Sequence, residues 1–131
     1  MESQCLDVLI VDDQAGVRYL LDAIVREEGH NPFLAVNGQD AVEQAIKINP
    51  NLVFMDIRMP VMDGTKALEK MKETGCSCQV VIMTAFTEKD VIDKARTNGA
   101  FKCIIKPFDV DEIRQIIHEV SRKIFPRASA L

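Results

Sequence analysis

The sequence predicts an α/β fold, a doubly wound five-stranded parallel sheet with five helices. Three observations carry this. Short apolar runs alternate with stretches of helical periodicity along the chain, the pattern of successive strand–helix–strand units. The apolar runs are continuous rather than alternating, as strands buried on both faces require. Four of the five run directly into a polar residue. In a parallel sheet those ends share one edge, where open α/β folds bind their ligands.

The elements follow in order. Asp7-Val8-Leu9-Ile10-Val11 is the first strand, running into Asp12-Asp13. Val17, Leu20, Leu21, Ile24 and Val25 then recur at i, i+3, i+4, i+7 and i+8, an amphipathic helix facing a core, and Gly29 stops it. Phe33 to Val36 is a second short strand. Asn37-Gly38 opens a helix carrying Ala41, Val42, Ala45 and Ile46, which Asn49-Pro50 ends. Leu52 to Met55 runs into Asp56. Arg58 to Gly64 is a loop by its Pro and Asp-Gly, followed by a helix with Leu68 and Met71. Gln79 to Thr84 is the fourth strand, Glu88 to Asn98 a helix closed by Gly99, and Phe101 to Ile105 the fifth strand, closed by Lys106-Pro107. Asp109 caps a final helix with Val110, Ile113, Ile116, Ile117, Val120 and Ile124 on one face, and Arg122 onward reads as a frayed tail.

The chain has 131 residues, the size of one domain, which we place at residues 6–124 with a C-terminal tail at 125–131. It is 47% hydrophobic and 27% charged, which excludes disordered and collagen-like classes. The net charge of −4 argues against direct contact with nucleic acid. No apolar run is long enough to span a membrane, and the first residues do not resemble a signal peptide, so the expected setting is cytoplasmic. Cys5, Cys76, Cys78 and Cys103 are then free thiols by default, and no Cys/His spacing fits zinc. His30 and His118 read as isolated surface residues.

The strand ends bring together Asp12, Asp13, Asp56, Thr84 and Lys106. Taken singly, Asp13 reads as a helix cap, Thr84 as a strand residue and Lys106 as a solvated lysine. Taken together they do not. At ~5 Å and an effective dielectric near 20, each carboxylate pair repels by about 3 kcal/mol, so a cation is required. An all-oxygen donor set suits Mg²⁺ or Mn²⁺ rather than zinc. A carboxylate can itself be a nucleophile that forms an aspartyl-phosphate, given a metal, a cation and a hydroxyl around the transferred group.

Val11-Asp12-Asp13, Met55-Asp56, Met59-Pro60-Val61-Met62-Asp63-Gly64, Met83-Thr84-Ala85 and Lys106-Pro107-Phe108 resemble the receiver domain of two-component response regulators, over about residues 6 to 124. The resemblance implies a flavodoxin-like fold, with Asp56 as phosphoacceptor, Asp12 and Asp13 as metal carboxylates and the backbone carbonyl of Arg58 as a further ligand. It implies that Thr84 follows the phosphoryl group, that Lys106 pairs with it, and that the bond before Pro107 is cis. Asp12 to Arg18 and Lys106 to Arg114 resemble, more specifically, single-domain members that serve the sporulation phosphorelay. Such members accept the group from a histidine kinase and pass it to a histidine phosphotransferase, with a phosphatase as a further partner. No stretch after Arg122 has the length of an output domain, and a monomer is expected.

One position departs from the family pattern. Many receivers carry an aromatic residue three before the lysine, as a switch, and here Cys103 stands there. A relay role gains from that, and a core thiol is the plain reading of Cys103. Arg58 and Phe86 would flank the phosphoryl group. Gln14, Gly16 and Arg18, with Phe86 and Pro107, are candidate partner contacts. The alternative within the family is a stand-alone or excised receiver that switches a protein target. Outside it stand an aspartate-nucleophile phosphatase, for which Asp12-Asp13-Gln14 departs from the D-x-D pattern, and a flavin-binding module, for which no phosphate-binding Gly-rich motif occurs. The chain is thus expected to be a phosphotransfer intermediate that assists its own phosphorylation rather than a turnover enzyme.

Overall fold

A computed structural model describes residues 4–85 and 89–126. Strands β1 (Asp7–Val11), β2 (Asn31–Ala35), β3 (Leu52–Asp56), β4 (Gln79–Thr84) and β5 (Lys102–Ile105) alternate with helices α1 (Ala15–Glu27), α2 (Gly38–Ile48), α3 (Gly64–Glu73), α4 (Lys89–Thr97) and α5 (Val110–Ile124). All strand pairs are parallel, in the order β2-β1-β3-β4-β5. The strand order reverses between β1 and β3, so the C-terminal ends of those strands border the crevice where such sheets bind ligands.

The two-residue period of the strands divides the core. Leu9, Val11, Val53, Met55, Val80 and Ile82 point to one face and pack under α2, α3 and α4. Val8, Ile10, Leu52, Phe54, Val81 and Met83 point to the other and pack under α1 and α5. Both faces of every central strand are therefore apolar, which is why the runs carry no alternation.

The helix ends follow local chemistry. The Asn37 side chain accepts the Asp40 N–H at 2.8 Å, while the Asp40 carboxylate accepts the Val36 N–H at 3.1 Å. Asp63 and Asp109 cap α3 and α5. Gly29 ends α1 at φ +85°, donating to the Arg26 carbonyl while His30 donates to Val25. Gly75 and Gly99 close α3 and α4 in the same way.

Several expectations shift. The second strand begins at Asn31 rather than Phe33, because β2 is an edge strand on which Pro32 is tolerated. Leu20, read as a core position, is exposed, since α1 packs its stripe through Leu21, Ile24 and Val25. Arg122 and Lys123 are not frayed: α5 runs to Ile124, and the Lys123 ammonium lies 4.4 Å from the Phe101 ring centroid. His30 is half-buried, its Nδ1 accepting the Leu6 N–H at 2.9 Å, and its ring stays below its ordinary pKa mainly through burial. Glu88, the expected start of the fourth helix, and the chain beyond Pro126 lie outside the described residues. Among the described residues no helix is long and apolar enough to cross a membrane.

Candidate functional site

Register places the first three carboxylates. Val11 pairs with Met55, so Asp12 stands level with Asp56 on the neighbouring strand. Asp12 prolongs the β1 ladder through its N–H to the Ala35 carbonyl, and its side chain is fully buried. Asp13, next along, is exposed and caps nothing, because α1 has Gln14 at its N-cap and the Gln14 N–H goes to Asp12 Oδ1 at 2.9 Å. Each of the three offers an oxygen within 4.8 Å of the others. Oxygens around one octahedral ion at 2.0–2.1 Å lie roughly 3–4 Å apart, so this donor set fits Mg²⁺ or Mn²⁺ with small adjustment.

Thr84 and Lys106 come from the other side of β3. Thr84 ends β4 one residue beyond Met83, the register partner of Asp56, and is buried. The Lys106 N–H donates to the Thr84 carbonyl at 2.8 Å, holding the end of β5 to the end of β4. The cis bond between Lys106 and Pro107 is present. The Lys106 ammonium stands 2.7 Å from Asp12 Oδ2 and 3.3 Å from Asp56 Oδ1. It is therefore not a solvated lysine but the cation of the cluster.

Burial above all, then the Asp12 charge, pushes the Asp56 carboxyl up to about 6, against the pull of Lys106. Burial draws the Lys106 ammonium down, but its hydrogen bond to Asp12 and the two carboxylate charges outweigh this and hold it above its ordinary value. A carboxylate of raised basicity beside an ammonium has the chemistry to act as a nucleophile. A cleft of about 280 Å³ lined by Asp13, Gln14, Asp56, Arg58, Ala85 and Lys106 gives access to it.

Three backbone features brace the site from behind. A Cβ on Gly64 would stand 2.5 Å from the Asp56 carbonyl oxygen, and the Gly64 N–H donates to the Ile57 carbonyl at 2.8 Å, so α3 begins directly against the Asp56 backbone. A Cβ on Gly38 would stand 2.2 Å from the Met62 carbonyl oxygen. Between these contacts Val61 takes φ +72° in a three-residue turn closed by the Met62 N–H to the Pro60 carbonyl. A β-branched residue in that region is strained, and close glycine contacts on both sides hold it there. The Asp-Gly pair at 63–64 was a visible signal for the turn; the approach of α2 at Gly38 had none.

Of the candidate partner contacts, Gln14, Gly16 and Pro107 are exposed. Arg18 turns inward, donating through Nη1 to the Asp12 backbone carbonyl at 2.7 Å. Arg58 is exposed on the cleft rim, and Phe86 lies outside the described residues. Cys103 is half-buried against the core under α2–α4, and burial raises its thiol pKa.

Comparison with known proteins gives one family. The model of the response regulator receiver domain matches residues 8–118. Sporulation initiation phosphotransferase F of Bacillus subtilis is 43% identical over 110 residues, covering 84% of this chain and 89% of that protein. The regulatory protein AtoC of Escherichia coli is 42% identical over the same length but is covered only to 24%. Among solved structures, the receiver domain of NtrX from Brucella abortus superposes with a TM-score of 0.81 at 28% identity, over 88% of this chain and 98% of that one. The N-terminal domain of an uncharacterized Wolinella succinogenes protein reaches 0.89 at 24% identity, over 94% and 99%, a likeness of fold.

Proposed function

The chain belongs to the response regulator receiver domain family, and on that premise we propose that it relays a phosphoryl group between histidines of two partner proteins. The single observation that carries the reading is the Asp12–Asp56–Lys106 cluster at the end of the switch-point strands, with the Lys106 ammonium shared between both carboxylates. In the forward step an Asp56 oxygen attacks the phosphorus of a phosphohistidine on a kinase. The N–P bond breaks, an acyl phosphate forms, and the imidazole leaves. In the second step the imidazole of a histidine phosphotransferase attacks the same phosphorus, and the Asp56 carboxylate is regenerated.

Asp12, Asp13, Asp56 and the Arg58 carbonyl would hold Mg²⁺ or Mn²⁺, which when bound neutralises charge on the transferred group. Lys106 then has a second anion to serve, and the Thr84 hydroxyl can donate to a phosphoryl oxygen. Gln14, Gly16 and Pro107 offer exposed surface around the cleft to a partner, and Arg18 supports the loop between them. High identity to a sporulation phosphotransferase over nearly its whole length supports relay, in a cytoplasmic setting. A second reading, an excised receiver that switches a protein target, draws on the AtoC match, since the same module there forms a quarter of a longer protein.

The test is incubation with a ³²P-labelled histidine phosphotransferase and Mg²⁺, scoring transfer in both directions. Reversible labelling of the wild type, absent in Asp56→Asn, is expected. One-way labelling followed only by hydrolysis would favour the target-switch reading, and continuous release of phosphate from aryl phosphates would favour a phosphatase.

A further inference from the structure

The link between α3 and β4 holds a second reactive group, remote from the phosphoryl site. Cys76 is half-buried and Cys78 buried, and their Sγ atoms lie 2.7 Å apart. Both lie in the three-residue link between Gly75 and β4. The segment is anchored at both ends. The Cys76 N–H donates to the Met71 carbonyl at 3.2 Å and the Gln79 N–H to the Asn51 carbonyl at 3.0 Å. At the Cys78 carbonyl the Lys72 ammonium stands 3.5 Å away. The backbone that carries the pair is thus fixed by the termination of α3 and the start of β4.

Two chemistries suit paired thiols. A shared metal is disfavoured by spacing: sulfurs each about 2.3 Å from a tetrahedral zinc stand ~3.7 Å apart. A disulfide, at about 2.05 Å, needs an approach of under 1 Å from the observed contact.

We propose that Cys76 and Cys78 form a reversible intrachain disulfide, with a low-molecular-weight aliphatic disulfide as oxidant. The Cys76 thiolate attacks one sulfur of the small disulfide, whose S–S bond breaks and whose first thiol leaves. The Cys78 sulfur, losing its proton to solvent, attacks the Cys76 sulfur and expels the second thiol. Two protein thiols are oxidised by two electrons, and one disulfide is reduced to two thiols. The order follows from exposure, and burial, which pushes the Cys78 thiol up to about 12, makes it the poorer first nucleophile. Thr84 lies six positions along β4 from Cys78, about 20 Å at the rise of a strand, so the bond closes without displacing the phosphoryl site.

The experiment treats the whole chain with glutathione disulfide, quenches with iodoacetamide and maps thiols by peptide mass. The expected product is the 76–78 peptide lighter by two hydrogens, unalkylated, restored by dithiothreitol, with two glutathiones released per chain. Cys78→Ser should stop at a persistent Cys76–glutathione adduct, and Cys76→Ser should leave Cys78 largely unreacted. Wild-type protein that accumulates the mixed adduct on Cys76, or keeps both thiols alkylatable while Cys5 or Cys103 reacts, overturns the proposal. Acetyl phosphate labelling of Asp56 should be equal in oxidised and reduced protein, which separates this inference from the relay reading.

Discussion

The Lys106 ammonium makes its shortest contact, 2.7 Å, with the buried Asp12 carboxylate rather than with Asp56. Lys106 therefore serves as a resident counter-ion for a carboxylate that burial has stripped of water. A divalent cation held by Asp12 and Asp13 would relieve it of that task and leave its charge to Asp56.

Lys106→Met leaves Asp12 and Asp56 without their cation. Removing one partner of a buried pair costs several kcal/mol, and because Lys106 is partly exposed we expect about 2–3 kcal/mol without metal. Mg²⁺ should recover much of this, since it supplies the missing charge. Urea unfolding of both proteins in EDTA and in Mg²⁺ measures the difference. Equal losses in the two conditions would separate Lys106 from the metal site.

Asp56→Asn should abolish labelling by acetyl phosphate and should stabilise the metal-free protein. The folded-state pKa of about 6 lies above the ordinary 3.8, so between those values the native state holds a proton that the unfolded state has lost. Stability from this group therefore falls as pH rises from about 4 to 6, and above that range Asp56 is a net cost of up to roughly 3 kcal/mol. Other carboxylates act in the opposite sense, so the readout is the difference between wild type and Asp56→Asn across that window in EDTA. A constant difference would contradict the assignment of burial as the cause.

Gly64→Ala drives a methyl group to 2.5 Å from the Asp56 carbonyl oxygen, where backbone rather than a flexible side chain must yield. We expect a loss of about 1–3 kcal/mol and a fall in phosphorylation rate exceeding what unfolding explains. Gly16→Ala, within α1 where a Cβ meets nothing within 4 Å, is the control and should lose no stability, gaining up to about 1 kcal/mol.

The element types and order were legible because both periods are strong here, and the acid cluster was legible because strand ends in a parallel sheet converge. What was not legible depended on contacts between distant residues. Leu20 falls on the apolar stripe by spacing, yet α1 buries Leu21, Ile24 and Val25 and leaves it outside. Arg18 read as partner surface, and nothing local reveals that its guanidinium, six residues on, also reaches the Asp12 carbonyl. Gly38 showed only a helix start, while its reason is the Met62 backbone from another loop.

Arg18 supplies the last prediction. Its guanidinium donates at 2.7 Å to the carbonyl of Asp12, tying the first turn of α1 to the strand end that presents two of the three carboxylates. A residue that acts this way orients the acidic loop without touching the phosphoryl group. Arg18→Gln should weaken Mg²⁺ binding several-fold, because support of metal-ligating groups typically matters at the ~10-fold level. Phosphorylation at saturating Mg²⁺ should then recover. A purely partner-contacting Arg18 gives the reverse pattern: unchanged Mg²⁺ titration, unchanged labelling by acetyl phosphate, and slowed transfer from a phosphorylated histidine protein alone. Titrating Mg²⁺ by the stability it confers, beside both donors, distinguishes the two.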